Sequence, residues 1–402
     1  MPSSISPSDP RTAVRHEGAL PKGLRLTASD RPGQAQPVPV RDIPARPWVK
    51  LGAAVFPLVA LLLFAWEWQM RSTVGLRAGD IDDSQQFWAE QRRLGTSAPV
   101  AIVGDSRILF DTDLDRFEAL TGIRPIQTSI VGTNARALLE NYAADPGFKG
   151  LLIVGLAETS YFRPKGIGLG APYLMNFEKN GLPSQLSGLW IDRFLQRHVA
   201  SLDSEYRLSR LVKQFDTGIR KGVDSPYEDV WKLSENFDGR QYFLWGRIER
   251  DAYLRAHAIH AWEGFRGKPV APDARERTIA LTAAAVRQIR KRGGDVVFVR
   301  PPSTGELRIN EEKRIPRAKG WEGLLVRAKA PGVHFDDLPA ARNLVLPELS
   351  HLTRACATVF TDAYVRRLAE LTPRLKLRPG APPPLGREHC VPPAKPAPAT
   401  AS

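Results

Sequence analysis

Apolar residues fall into three patterns along this chain, and each predicts a different kind of element. From Leu51 to Trp66 no side chain is charged, and Trp48, Trp66 and Trp68 flank the run where interfacial aromatic belts sit. Taken as residues 48–68, with Lys50 and Glu67 snorkelling at opposite ends, the run reaches the length of about 20 residues that a spanning helix needs. A buried core helix is the competing reading. A cleaved signal peptide fits worse, because no small-x-small pair follows the run before Glu67. Arg31, Arg41, Arg46 and Lys50 precede the span and only Arg71 and Arg77 follow it closely, so the positive-inside bias puts the N-terminus in the cytoplasm.

Beyond the span and a juxtamembrane stretch, 69–97, short apolar runs alternate with runs of helical period, the mark of a parallel sheet covered by helices. Strands are expected at Val100–Val103, Pro125–Val131, Leu151–Val154, Asp295–Arg300 and Val333–Phe335. Helices are expected at Asp111–Thr121, Ala135–Ala144, Arg275–Arg292 and Thr353–Leu371. This makes residues 98–372 an α/β domain. Within it, 157–273 lacks the βαβ rhythm but carries Trp190, Trp231, Trp245 and Trp262. That composition predicts a structured insertion, which open α/β folds place near substrate.

Composition changes the picture mainly at the ends. Residues 1–47 mix Pro, Ser, Arg and Gly without hydrophobic period, and 373–402 are rich in Pro, so both are expected to lack a core. The formal charge of +14 is concentrated there, +4 in residues 1–50 and +4 in residues 373–402. A nucleic-acid-binding domain would carry its positive charge on a folded face instead, so no nucleic-acid partner is expected. Cys356 and Cys390 either pair across an oxidising compartment or stay apart as a buried thiol and an incidental one. No Cys/His set has zinc spacing, and neither a metal nor a cofactor is expected.

The candidate chemistry lies in two short motifs. Gly104-Asp105-Ser106-Arg107 leaves the first strand, and Glu348-Leu349-Ser350-His351 precedes the last helix. A serine hydroxyl becomes a nucleophile when a base lies within hydrogen-bond reach and a third group fixes that base in one tautomer. Ser106, His351 and Glu348 fit these roles, although Ser106 alone could simply cap a helix and Glu348 could merely favour a helix start. Asp105 reads as structural. Arg107 and Arg300 fall near strand ends, where they would clamp an anionic substrate group or remain solvated.

These motifs resemble those of the SGNH (GDSL-type) hydrolase superfamily, particularly its membrane-anchored bacterial members, over roughly residues 98–160 and 275–370. The resemblance implies a three-layer, flavodoxin-like fold with a central parallel sheet. It implies Ser106 as nucleophile, and Gly132 as the oxyanion-hole glycine after the second strand. The family's Asp-x-x-His appears here as Glu348-x-x-His351. Its Gly-x-Asn-Asp motif is replaced by Gly155-Leu156-Ala157-Glu158-Thr159, so one oxyanion donor is missing, a loss that typically costs about 100- to 1000-fold in rate. Either Asn134 supplies the donor from the neighbouring loop, or the hole rests on the Ser106 and Gly132 amides.

By the same resemblance, the expected activity is acyl transfer or ester hydrolysis on a cell-envelope polysaccharide or another acyl ester, outside the inner membrane. Relatives that O-acetylate alginate or help D-alanylate teichoic acid act beside a membrane acyl-donor partner protein. An inactive binding or assembly subunit of an envelope polysaccharide or export complex is the alternative.

Overall fold

The computed structural model describes residues 24–25, 38–39, 47–163, 168–178, 183–216, 232–265 and 267–391. The chain divides into two compact units, Met1–Phe64 and Ala65–Ser402. Within the first, Leu24–Arg25 pairs antiparallel with Val38–Pro39; the rest of the segment expected to lack a core, up to residue 46, lies outside the described residues.

The apolar run forms helix Trp48–Gln69, continued by a wider-wound turn over Met70–Val74. Gly75, at φ 80°, ends it in the left-handed conformation that glycine adopts without steric cost. The whole stretch, Trp48–Val74, is long and apolar enough to cross a membrane, with a mean hydropathy of 2.1 over its most apolar window.

Five parallel strands form the central sheet: β1 (Val100–Val103), β2 (Ile126–Gln127), β3 (Leu151–Gly155), β4 (Asp295–Arg300) and β5 (Gly332–His334), in the spatial order β2-β1-β3-β4-β5. Alternate residues of each strand enter different cores. Ala101, Val103, Leu152, Val154, Val296 and Phe298 meet Trp88, Leu138, Leu139, Val286 and Ile289, from helices Gln85–Ser97, Ala135–Ala144 and Pro272–Lys291. On the other face, Val100, Ile102, Leu151, Ile153, Val297 and Val299 meet Phe117 and Leu120 of helix Leu114–Thr121 and Val359, Phe360 and Tyr364 of helix Arg354–Leu371. Burial on both faces is why the strands read as unbroken apolar runs.

Two expected elements come out differently. The second strand, expected over 125–131, is two residues long, and carbonyls at its end accept from side chains. Trp88 Nε1 donates to Thr128 O at 2.9 Å, and Arg240 donates to Gln127 O at 3.0 Å and Ser129 O at 2.9 Å. The helix expected from Asp111 begins at Leu114 and ends at Thr121, after a separate short helix Ser106–Phe110; Asp111, between the two, turns its carboxylate to accept from Leu352 N at 2.9 Å.

The insertion contains helices Ala171–Glu178, Pro183–Gln196, Leu208–Asp216 and Ala252–Ala261 and the hairpin Ser234–Phe237/Gln241–Leu244; Trp231 lies outside the described residues. The Pro-rich tail departs from expectation as far as residue 391. Leu375 is buried, Leu385 and Val391 pack on the second core, and Arg116 donates to Pro383 O at 2.7 Å. Proline keeps its carbonyl acceptor, so guanidinium groups can fasten a chain that cannot donate in return. Cys356 and Cys390 form a disulfide, and residues 392–402 lie outside the described residues.

Candidate active site

Parallel strands deliver their carboxyl ends to one edge, and the site lies there. Gly104 follows β1 where nothing larger fits: a Cβ would stand 2.1 Å from Ile108 Cγ2 and 3.1 Å from Gly155 O. The next residue, Asp105, caps helix Ser106–Phe110 by accepting from Arg107 N at 3.2 Å, and its other oxygen accepts from Ser160 Oγ at 2.8 Å. This fixes Ser106 at the first turn of the helix, with its hydroxyl half-exposed at the cavity wall.

His351 Nε2 lies 2.9 Å from Ser106 Oγ, and His351 Nδ1 lies 3.0 Å from Glu348 Oε1. The imidazole and carboxylate are fully buried, the ring packed against Phe110 at 4.4 Å and Trp262 at 5.6 Å between centroids. Leu349 adopts φ 76°, a left-handed conformation that costs a branched residue on the order of 1–3 kcal/mol. The reversal lets the Glu348 carboxylate turn back on its own loop, where Oε1 accepts from His351 N at 2.5 Å and Ser350 N at 3.3 Å. Glu348 Oε2 accepts from Trp262 Nε1 at 2.7 Å. Ser106, His351 and Glu348 thus make a continuous hydrogen-bonded relay.

Gly132 and Asn134 border the same cavity as Ser106. Gly132 has φ 63°, and a Cβ there would stand 2.9 Å from Leu169 Cδ1, so the turn requires glycine. Asn134 caps helix Ala135–Ala144 through Oδ1, which accepts from Arg136 N at 3.0 Å. Its Nδ2 is buried with no hydrogen-bond partner among the described residues. A buried amide donor without a partner is costly unless something occupies it part of the time.

The two arginines expected at the rim are placed differently. Arg300 is fully buried, bonded to Glu158 at 3.0 Å and Glu311 at 2.6 Å. It faces inward because those two carboxylates lie beneath the site, and so it does not reach the cavity. Arg107 borders the cavity, but its guanidinium is directed at Glu311 and at Ser350 Oγ, 3.1 Å away. Burial pushes the Glu311 carboxyl up, yet Arg107 and Arg300 outweigh it and hold the group down at about 2. Glu311 therefore stays a carboxylate between the two guanidinium groups, and the buried network Arg107–Glu311–Arg300–Glu158 ties the Ser106 loop to the ends of β3 and β4.

Two supporting residues carry no signal in the sequence. Trp262 comes from the aperiodic insertion. Asp111 holds the residue after His351, and burial, aided by Glu348, pushes its carboxyl well above the usual range. The cavity has a volume of about 290 Å³ and apolar walls that include Leu169, Leu233, Leu307 and Trp262. A second cavity of about 280 Å³ shares Val131, Leu169 and Leu233 with it. Among the described residues no His/Cys/Asp/Glu cluster could hold a metal ion. The chain matches no known protein-family model and no curated protein.

Proposed function

We propose that this chain is a serine acyl-transfer enzyme of the SGNH type with a three-layer, flavodoxin-like fold. The strand order β2-β1-β3-β4-β5 supports that reading of the fold. The particular function we assign is membrane-anchored O-acyltransferase or esterase, acting on a cell-envelope polysaccharide or another acyl ester. The apolar helix holds it in the inner membrane through residues 48–68, with the N-terminus cytoplasmic and the main domain periplasmic. A membrane acyl-donor protein is the partner this activity calls for.

The observation that carries the reading is the relay itself, 2.9 Å from Ser106 Oγ to His351 Nε2 and 3.0 Å from Nδ1 to Glu348. His351 removes the Ser106 proton as Oγ bonds to the ester carbonyl carbon, and Glu348 stabilises the imidazolium. The amides of Ser106 and Gly132 and Nδ2 of Asn134 face the developing oxyanion. Collapse of the tetrahedral intermediate breaks the bond to the leaving oxygen, which takes the proton from His351. Water or a sugar hydroxyl then gives a proton to His351, attacks the acyl-serine carbonyl and releases Ser106, which regains its proton.

A fluorophosphonate probe tests this. Labelling of the full chain, absent in Ser106→Ala and reduced in His351→Ala, is expected. Folded wild-type protein that takes no label would overturn the proposal and favour a catalytically inactive binding or assembly subunit.

A further inference from the structure

Helix Pro183–Gln196 is packed on one side only. Leu189 sits with Ile81 and Phe87, and Arg193 lies over the Phe87 ring while pairing with Glu90 at 2.8 Å. The other side turns Leu186, Trp190, Ile191 and Phe194 to solvent, with Trp190 and Phe194 each 61% exposed. Their spacing is that of a single helical face. Helix Leu208–Asp216 likewise exposes Leu208 and Val212. Apolar stripes of this kind on adjoining elements mark a surface that something covers.

What lies beside these helices indicates the cover. The segment between them is fastened to the end of the apolar N-terminal helix. The Glu67 carboxylate accepts from Ala200 N at 2.8 Å and Ser201 N at 2.9 Å, Arg71 donates to His198 O at 2.8 Å, and Met70 packs in one cluster with Ala200. Residues 67–71 leave the bilayer where the span ends. Residues 198–201, bonded to them, therefore lie at the level of the lipid headgroups, together with the near ends of both helices. Tryptophan, phenylalanine and aliphatic side chains on one face, with charges on another, are what that boundary takes up. Among the described side chains, the nearby arginines are paired: Arg193 with Glu90, Arg197 with Asp238, Arg207 with Asp82, Arg210 with Glu205. The face that these described side chains form is apolar and its arginines are neutralised by carboxylates, which suits a lipid boundary better than an acidic protein.

We infer that helices Pro183–Gln196 and Leu208–Asp216 form an apolar foot that rests in the surface of the lipid bilayer. The foot rests on the proposal that residues 48–68 span the membrane, and it adds a second, shallower contact that sets the height of the site above the lipid.

The test uses the full chain in phosphatidylcholine vesicles containing lipids with nitroxide-bearing acyl chains. Three single variants, Phe56→Cys in the span, Ile191→Cys in the foot and Val326→Cys on exposed helix Gly323–Ala328, are labelled with a fluorophore without reductant, leaving the disulfide intact. Strong quenching at 56, intermediate quenching at 191 and none at 326 are expected. Quenching at 56 with 191 as unaffected as 326 overturns the foot and leaves the span standing. No quenching at 56 overturns the span and the foot together. Shielding of 191 that grows with protein concentration in detergent assigns the face to a second copy and also overturns the foot.

Discussion

Trp262 Nε1 donates to both Glu348 Oε2, at 2.7 Å, and the Glu348 carbonyl, at 2.6 Å, across 86 positions of chain. The insertion thereby supplies a donor to the acid of the relay, on the oxygen that His351 does not use. A hydrogen bond to a buried charged group contributes about 1.5–3 kcal/mol. Trp262→Phe keeps an aromatic ring beside His351 and removes only the donor. The hydrolysis rate of a chromogenic ester is expected to fall about 10- to 100-fold. An unchanged rate would show that Glu348 holds the imidazole without help from the insertion.

Asn134 has two duties that a substitution can separate. Its Oδ1 caps a helix, and its Nδ2 is buried without a hydrogen-bond partner among the described residues and is the donor that the proposed oxyanion hole calls for. Asn134→Asp preserves the cap acceptor and removes the donor, so the melting temperature should stay near wild type while the rate falls about 100- to 1000-fold. Asn134→Ala should lose the rate and also about 1 kcal/mol of stability. A fully active Asn134→Asp protein would leave the hole to the two backbone amides.

Arg300 is a structural ion at the base of the site. Replacing it with methionine strands the Glu158 carboxylate in a dry interior and leaves Glu311 to Arg107 alone among its cationic partners, a change that destabilises by about 3–5 kcal/mol. Denaturant unfolding should detect the loss. A variant of normal stability with a raised KM would instead return Arg300 to a substrate-binding role.

Much of this arrangement is legible in the sequence, and the parts that are not share a physical cause. β1, β3 and β4 are readable because both their faces are buried, and the relay is readable because its members sit in two short motifs at element ends. The missed features depend on long-range partners. Nothing local reveals that Arg240, far along the insertion, takes the carbonyls at the end of β2. A single tryptophan in an aperiodic stretch gives no sign of the carboxylate it meets. Arg300 does end its strand as expected, but its direction depends on Glu158 and Glu311, whose charge has no periodic signature. The Pro-rich tail likewise shows no pattern of its own, because its acceptors are matched by arginines of other helices.

His334 provides a pH signature of folding. Burial and then the surrounding Arg300, Arg317 and Arg308 pull its imidazole down from 6.5 to about 2. It is neutral in the fold, whereas the unfolded chain takes up a proton below about pH 6.5. Its contribution to stability is therefore intact above that value and lost as the pH falls toward 2, at up to about 1.4 kcal/mol per pH unit. His334→Asn should be less stable at neutral pH, yet its urea midpoint should drop less than that of wild type between about pH 7 and about pH 5. Parallel declines would show that His334 takes up its proton inside the fold.

Cys356, on the first turn of the last helix, is five positions beyond His351 and is tied to Cys390. The segment that presents the base is thus sutured to the far end of the described residues. A copy held among reducing thiols would lack the suture and would depend on packing alone to keep its imidazole aligned, so the proposed periplasmic placement and the alignment of the relay would be linked through one covalent bond.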